Sequence, residues 1–315
     1  MRRRATQLQK PKALRAGSRL AVVSPSSPAD GAAISTGIAE LRRLGFEVEE
    51  PSVPAPEGYF AACHKERFQQ LEKTLNSKTV DGVISTRGGY GANYLLDFKL
   101  LQRVRKAKCL IGYSDLNVLQ LALLARRGWA GFYGPMVAAG LNHGAAQPSG
   151  YDEVSFLQTI GETKFKWQIP LHGDSLKSGA ASGRLAGGCL SMLQTTLGTH
   201  FQPDTRGALL VLEDRGMKPY QVDRALRHLL QAGMFAKVNA ILLGDFADCD
   251  PPVPGSPGVP EVCAAILGPL RVPLVFGAPI GHTNRPMLTI PLGVHAKLIA
   301  KGEGTLEILE PAVTD

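Results

Sequence analysis

Short apolar runs alternate with amphipathic stretches along most of the chain. Residues 20–24 form the first apolar strand, and after a Ser/Pro turn the spacing of apolar residues predicts a helix at 30–44. The order repeats with a strand at 46–49, a helix at 64–76, a strand at 80–85 and a helix at 93–104. Such alternation is typical of βαβ units, whose strands lie parallel. The pattern therefore predicts an α/β domain built on a mostly parallel sheet.

A second αβ block follows a region rich in Gly, Ser, His and Pro, which holds one predicted helix near 152–160. In this block the pattern predicts a Gly-rich turn into a helix at 187–198, buried strands at 208–214, 240–245 and 274–276, helices at 220–232 and 262–267, and short strands within 288–309. We predict a basic disordered leader at 1–15, an N-terminal α/β domain at 16–140, a linker region at 141–180 and a smaller C-terminal α/β domain at 181–315.

The formal net charge of +8 is concentrated in the first fifteen residues. Six of them are basic and none is acidic, so the rest of the chain is close to neutral. A tail of this kind is typical of a solvated, disordered leader, and contact with RNA or an anionic surface is the alternative. We expect neither nucleic acid nor a membrane as a partner.

No apolar run approaches the roughly 18 residues of a membrane-spanning helix. The run at 20–23 is also shorter than the core of about 7 to 15 residues expected in a signal peptide. The five cysteines are widely spaced, with no CxxC pair or His/Cys cluster suited to zinc. We therefore expect a cytoplasmic protein with reduced thiols and without a metal or another cofactor.

A tight strand-to-helix turn is predicted at Gly112-Tyr113-Ser114. Apolar residues 109–111 read as a buried strand, and leucines at helical spacing follow directly. A G-x-S-x-G nucleophile elbow needs this context, because a sharp turn exposes the hydroxyl and nearby N–H groups can bind an oxyanion. The match is partial, since Leu116 replaces the final Gly and would crowd the packing of strand on helix. A Ser or Asp cap on an ordinary helix is the alternative interpretation.

A glycine-rich loop at residues 87–91 follows the strand before this one. In parallel sheets, ligands bind at the carboxyl ends of strands, so this loop and the Ser114 turn are expected at the same edge. The loop fits neither the dinucleotide-binding nor the Walker pattern. It could instead supply an oxyanion donor beside Ser114, or be a plain tight turn.

A serine nucleophile needs a histidine base, and the base needs an acid that orients it. Of the seven histidines, His282 stands out, because it follows Gly281 in a loop after an apolar segment. Glu213 and Asp214 end an apolar strand, where a carboxylate must reach the sheet edge or be paired. Asp115 is adjacent to Ser114 and could equally cap the helix. No spacing of His and carboxylates resembles a metal site.

Several motifs, taken in order, resemble those of one family, the LD-carboxypeptidases or muramoyltetrapeptide carboxypeptidases, which are serine peptidases with a Ser-Glu-His triad. The motifs lie at residues 16–28, 87–91, 112–115, 134–136, 212–214, 223–224, 281–282 and 291–293. The resemblance covers nearly the whole chain.

The resemblance implies a nucleophile at Ser114, a general base at His282 and an orienting acid at Glu213. It also implies an oxyanion hole made by the backbone N–H of Asp115 and one from Gly88 or Gly89. The implied fold is an N-terminal α/β domain similar to class I glutamine amidotransferases, joined to a smaller C-terminal α/β domain. The implied reaction is release of terminal D-alanine from a murein tetrapeptide, by a cytoplasmic homodimer that recycles peptidoglycan without a metal.

Three positions depart from the family pattern: Asn117 where Thr is common, Met217 where an acid is common, and Tyr94 where Arg is common. The first bears on the start of the nucleophile helix and the others on substrate recognition.

Two rival functions remain. A microcin-immunity type peptidase would need an aromatic platform for a base. Of the two tryptophans, Trp129 and Trp167, the second lies in the interdomain region where such a platform could be. A non-catalytic binder of cell-wall peptides would keep only the fold.

Overall fold

Two β-sheets form the core of the protein. The computed structural model describes residues 7–51, 55–96 and 98–315, with only the backbone described at 98 and 99. The strands are β1 (Arg19–Val23), β2 (Glu47–Glu49), β3 (Gly82–Ser85), β4 (Cys109–Gly112), β5 (Gly131–Tyr133), β6 (Trp167–Pro170), β7 (Asp174–Lys177), β8 (Gly179–Cys189), β9 (Ala208–Glu213), β10 (Ala240–Gly244), β11 (Leu274–Ala278), β12 (Ile290–Leu292), β13 (His295–Ala300) and β14 (Thr305–Ile308). The α/β class predicted from the alternation of apolar and amphipathic segments is confirmed.

The helices lie between these strands in the chain. They are α1 (Gly31–Arg43), α2 (His64–Asn76), α3 (Phe98–Arg103), α4 (Asn117–Arg127), α5 (Glu153–Gly161), α6 (Leu190–Thr196), α7 (Pro219–Gln231) and α8 (Val259–Leu267). Local chemistry explains their ends. The Asp30 side chain accepts the Ala33 N–H at the start of α1, and Gly128 closes α4 in the left-handed conformation at φ +67°.

The first sheet has the strand order β12-β5-β4-β3-β1-β2. Strands β1 to β5 run parallel, whereas β12 pairs antiparallel with β5. The second sheet has the order β6-β14-β13-β8-β9-β10-β11-β7, with β8 to β11 parallel. The carboxyl ends of β4, β9 and β11 therefore provide three loops in which side chains from both sheets can meet.

One apolar cluster runs through both sheets. It contains Leu20 and Ile84 of the first sheet together with Leu209 and Val275 of the second. Separate clusters cover the other face of each sheet. Burial of apolar surface thus joins the two sheets into one packed unit.

The region 141–180, for which the sequence predicts a linker, contains α5 and contributes β6 and β7 to the second sheet. Strand β8 begins at Gly179, and its last glycines form the segment predicted as a turn. The predicted helix at 93–104 is a short 3₁₀ turn at Ala92–Leu95 followed by α3. Strand β5, which the apolar pattern missed, lies between β4 and β12.

Residues 7–15, predicted as part of a disordered leader, are packed against the body of the protein. The Gln9 N–H donates to the Gly128 carbonyl, and the Ala13 N–H donates to the Thr314 carbonyl. Leu14 is buried in the shared apolar cluster, and Lys10 pairs with Glu310 at 2.7 Å. The charge count indicated a solvated tail because it left out these backbone partners and the apolar side chains. Residues 1–6 lie outside the described residues.

All five cysteines are free thiols. Within the described part of the chain, no helix combines the length and apolar character needed to cross a bilayer. Over the same ranges, no group of three His, Cys, Asp or Glu side chains is arranged to hold a metal ion.

Candidate active site

Ser114 lies on the sharp turn between β4 and α4. Its φ is +61°, a left-handed conformation that is uncommon for a residue with a Cβ. Strain of this kind persists only where the surrounding structure enforces it, as in nucleophile elbows. The turn therefore holds the Ser114 side chain at the carboxyl end of β4, in the elbow geometry rather than as an ordinary helix cap.

Leu116 fits in this turn because residue 112 has no side chain. Gly112 has a φ of +149°, and a Cβ there would lie 2.6 Å from Leu116 Cδ2. Leu116 is fully buried in the apolar cluster on the helix side of the first sheet. Gly112, the first residue of the motif, thus makes room for Leu116, which stands where the motif usually has its final glycine.

His282 hydrogen-bonds to Ser114 and Glu213 at the same time. Its Nε2 lies 3.1 Å from Ser114 Oγ, and its Nδ1 lies 2.9 Å from Glu213 Oε2. The His282 backbone N–H donates to the same Glu213 oxygen at 2.8 Å. This arrangement places a proton on Nδ1 and leaves Nε2 free to accept the proton of Ser114. In the part of the chain that is described, His282 is the one histidine that hydrogen-bonds to Ser114.

Glu213 is a fully buried carboxylate at the end of β9. Its second oxygen, Oε1, accepts the Tyr133 hydroxyl. Gly281, at φ +68°, leaves room for it, because a Cβ there would lie 2.3 Å from Glu213 Cδ. Both oxygens of the buried carboxylate are therefore hydrogen-bonded, as a buried charge requires.

The pKa values of this pair move in opposite directions. Burial by itself raises the pKa of Glu213, but the charge of His282 and the hydrogen bonds from His282 and Tyr133 lower it below its ordinary value. Burial lowers the pKa of His282, but the Glu213 carboxylate outweighs this effect and raises it. The pair is therefore arranged to stabilise an imidazolium when His282 takes up a proton.

The loop that carries His282 is held by Asp245, which follows β10. The Thr283 hydroxyl donates to Asp245, and Arg285 Nε donates to the same carboxylate at 3.1 Å. Arg285 Nη1 also donates to the His172 carbonyl at 2.9 Å. These bonds fix the residues directly after His282 and so limit the motion of its ring.

The glycine-rich loop lies against the nucleophile turn. A Cβ on Gly88 would be 2.8 Å from Ser114 Oγ and 3.4 Å from the Asp115 nitrogen, whereas a Cβ on Gly89 would meet Ser27. Only a backbone without a side chain can approach Ser114 so closely. Gly88 thus lies beside the Asp115 N–H. An oxyanion hole formed by Asp115 with Gly88 or Gly89 stays a prediction.

Asp115 does not cap α4. Its buried carboxylate accepts the Ala92 N–H at 2.7 Å, and burial raises its pKa.

Asn117 does not cap the helix either. It donates to the Gly187 carbonyl at 3.3 Å and accepts the Cys189 N–H at 3.1 Å, so it ties the nucleophile helix to β8 of the second sheet.

The other two departures lie apart from the triad. Met217 packs against the outer apolar cluster of the second sheet, and Tyr94 is 54% exposed beside Phe60.

Two tyrosines near the triad were not predicted from the sequence. The Tyr133 hydroxyl donates to Glu213. The Tyr113 ring meets the His282 ring edge-on, with the two ring centroids 4.9 Å apart. Tyr113 lies inside the G-x-S motif, whereas Tyr133 ends a strand too short to be predicted.

Ser114 with positive φ, hydrogen-bonded to a His–Glu pair where the two sheets meet, has the geometry of a Ser-His-acid triad. Two family models match this chain, the LD-carboxypeptidase N-terminal domain over residues 20–134 and the LD-carboxypeptidase C-terminal domain over residues 182–298. The chain belongs to the LD-carboxypeptidase family and is a peptidase, so the resemblance found in the sequence motifs is confirmed.

Individual relatives agree with the family models. A probable murein peptide carboxypeptidase of Bacillus subtilis (strain 168) is 33% identical over 295 residues, which span 92% of this chain and 91% of that protein. The microcin C7 self-immunity protein of Escherichia coli is 27% identical over 315 residues, 89% of this chain and 90% of that protein. The crystal structure of a muramoyltetrapeptide carboxypeptidase from Oxalobacter formigenes superposes with a TM-score of 0.81 at 28% identity, covering 93% of this chain and 99% of that one.

Proposed function

We propose that this protein is a serine-type LD-carboxypeptidase that releases terminal D-alanine from murein tetrapeptides. The bond cleaved would be the one between the L-centre of the diamino acid and D-alanine. Family membership and the murein peptide relative support the reaction class. The observation that carries the proposal is the unbroken hydrogen-bond chain from Ser114 through His282 to Glu213.

In the proposed mechanism, Ser114 Oγ attacks the scissile carbonyl carbon while His282 Nε2 takes the hydroxyl proton. The resulting oxyanion accepts the Asp115 N–H and one from Gly88 or Gly89. His282 then gives the proton to the leaving nitrogen, so the C–N bond breaks and D-alanine departs. Water, deprotonated by His282, hydrolyses the acyl-serine and restores the hydroxyl. Glu213 keeps its charge throughout and stabilises the imidazolium.

The first test is release of D-alanine from a diaminopimelate-containing tetrapeptide. Wild type should release it, and Ser114→Ala should lower kcat by about 10⁶-fold, the magnitude seen when a serine peptidase loses its nucleophile. Ser35→Ala, an exposed serine on α1, is the matched control and should keep wild-type activity. Release that survives Ser114→Ala would exclude the proposed nucleophile, and no release by wild type would leave peptide binding as the better hypothesis.

Similarity to the microcin C7 self-immunity protein favours an amidase of peptidyl or aminoacyl nucleotides as a second candidate. The structure offers little support for the aromatic platform expected for it, because Trp129 and Trp167 are 1% and 7% exposed. Turnover of a nucleotide amide without turnover of the tetrapeptide would favour this candidate.

The setting that we propose is cytoplasmic peptidoglycan recycling by a homodimer. The free thiols support the cytoplasmic setting, and the recycling role and the dimer are what the resemblance to the family implies. Sedimentation equilibrium of the purified protein would test the dimer.

A further inference from the structure

Arg87 is an exposed guanidinium at the start of the glycine-rich loop. Its side chain makes one hydrogen bond, from Nη1 to the Pro28 carbonyl at 3.4 Å, which is long for such a bond. Over residues 7–51, 55–96 and 98–315, no carboxylate forms an ion pair with Arg87. Its positive charge is therefore available to an external anion.

The loop fixes Arg87 next to the reacting groups. The residue that follows it, Gly88, is the one packed against Ser114. The Ser85 hydroxyl donates to the Arg87 carbonyl at 3.0 Å, and the Ser27 N–H donates to the Gly88 carbonyl at 3.3 Å. These bonds hold the backbone around Arg87. Because its guanidinium contacts the Pro28 carbonyl, it lies between the loops that follow β1 and β3.

Acidic side chains surround the nucleophile turn, and two cations, Arg87 and Arg215, lie near them. Glu213, Asp214 and Asp115 are all buried around the nucleophile turn. Of the nearby cations, Arg215 is occupied by Asp248 at 2.6 Å. An anionic substrate group would be repelled here unless a free cation received it.

Arg87 and Arg215 both influence the interior of the site. Burial and Glu213 raise the pKa of the Tyr113 phenol, and the charges of Arg215 and Arg87 act against that rise. Tyr113 is the residue whose ring contacts His282. The field of the Arg87 guanidinium thus extends to the groups around the triad.

We propose that Arg87 binds the free α-carboxylate of the substrate's C-terminal residue, and so selects a carboxypeptidase substrate. The proposal rests on the function proposed above. In such a substrate, the carboxylate is separated from the scissile carbonyl by only the leaving nitrogen and one carbon. Consecutive residues of one loop would then receive the two groups, with Arg87 on the carboxylate and the backbone after it on the carbonyl oxygen. Arginine suits this role because its planar fork matches a carboxylate.

The experiment compares a tetrapeptide that ends in D-alanine with the same peptide ending in D-alaninamide. Arg87→Ala should lower kcat/KM for the acid by roughly 10- to 100-fold, the loss of one charge-assisted hydrogen-bonded pair, and leave that for the amide unchanged. Arg87→Lys should restore part of the preference. An acid-to-amide ratio that is the same in Arg87→Ala and wild type would overturn the proposal, as would a ratio lost in Arg215→Ala instead.

Binding of both peptides to Ser114→Ala, measured by calorimetry, separates this proposal from the proposed function. We expect Arg87→Ala in that background to weaken binding of the acid by the same roughly 10- to 100-fold, but not binding of the amide. If wild type releases no D-alanine while this difference persists, the function fails and the carboxylate subsite stands. If the peptide ending in D-alanine binds equally well to Ser114→Ala and to the double variant Ser114→Ala/Arg87→Ala, the subsite is rejected.

Discussion

Glu213 and Asp214 show how two adjacent carboxyls acquire different properties. Burial raises the pKa of Glu213, but the charge of His282 and the hydrogen bonds from His282 and Tyr133 outweigh this and lower it. Burial and the neighbouring Glu213 raise the pKa of Asp214, although it accepts the Ser191 N–H at 2.8 Å and the Arg215 N–H at 2.8 Å. The charge at the end of β9 is thus concentrated on Glu213, the carboxylate that faces His282.

Removing that charge should change the pH profile as well as the rate. His282 must be neutral to accept a proton, so kcat/KM rises as pH increases through the pKa of His282. Glu213 raises this pKa against the effect of burial. In Glu213→Gln, burial should dominate and the acid limb should move to lower pH, while kcat falls on the order of 10⁴-fold because the imidazole is no longer oriented.

The measurement is kcat/KM across the acid limb for wild type, Glu213→Gln and Glu261→Gln, an exposed position on α8. The control should reproduce the wild-type curve. An acid limb that stays at the wild-type pH in Glu213→Gln would show that Glu213 does not set the pKa of His282.

How far the sequence alone could locate the site depends on the kind of signal. Ser114 and His282 follow apolar strands, and Glu213 ends one. Each also lies in a motif that resembles the family, so all three could be named as candidates from the sequence. Tyr133 could not, because its strand has three residues and a tyrosine there reads as part of the core. The Asn117 contacts with β8 join residues 70 and 72 positions apart, which no local pattern reports.

At the level of elements, a buried arginine braces the glycine-rich loop. Arg67 on α2 is 2% exposed, and its Nη1 donates to the carbonyls of Gly91 at 2.9 Å and Pro25 at 2.6 Å. Its Nε donates to the Ala62 carbonyl at 3.1 Å. Because Asp115 accepts the N–H of the residue after Gly91, the loop is held from both sides.

Arg67→Met should therefore destabilise the fold and loosen the loop. Three buried carbonyls would lose their donor, and each buried polar group left unpaired costs about 1–3 kcal/mol. The free energy of unfolding, measured in urea, should fall by at least that amount. Lys65→Met, an exposed position on the same helix, should stay within about 0.5 kcal/mol of wild type. A loss no larger than that of the control would show that water or backbone shifts replace the Arg67 bonds.

Strands with unusual composition account for the elements that the apolar pattern missed. Strand β8 is rich in Gly and Ala, and it resembles a linker because few of its side chains alternate between apolar and polar. Its backbone is held by β9 on one side and β13 on the other. Tertiary pairing, rather than local propensity, therefore makes this segment a strand.

At the scale of the whole molecule, the two sheets are expected to unfold together. They share one apolar cluster, and β12, from the C-terminal half of the chain, pairs with β5 of the first sheet. Calorimetry should show one transition with equal calorimetric and van't Hoff enthalpies. Ile290→Ala, in fully buried β12, should cost about 2–5 kcal/mol and shift the entire transition. Two separate transitions, with only one moved by Ile290→Ala, would show that the sheets are independent.

The distribution of the triad along the chain also has a consequence for protein synthesis. Ser114 and His282 are 168 positions apart. At a translation rate of about 5–20 residues per second, roughly 8–34 s separate the appearance of the hydroxyl from that of its base. During this interval the nascent chain has the proposed nucleophile without its proposed base. On the proposed mechanism, a chain whose synthesis stops before residue 282 is therefore inert toward peptides, and hydrolytic activity begins only after translation has passed that residue.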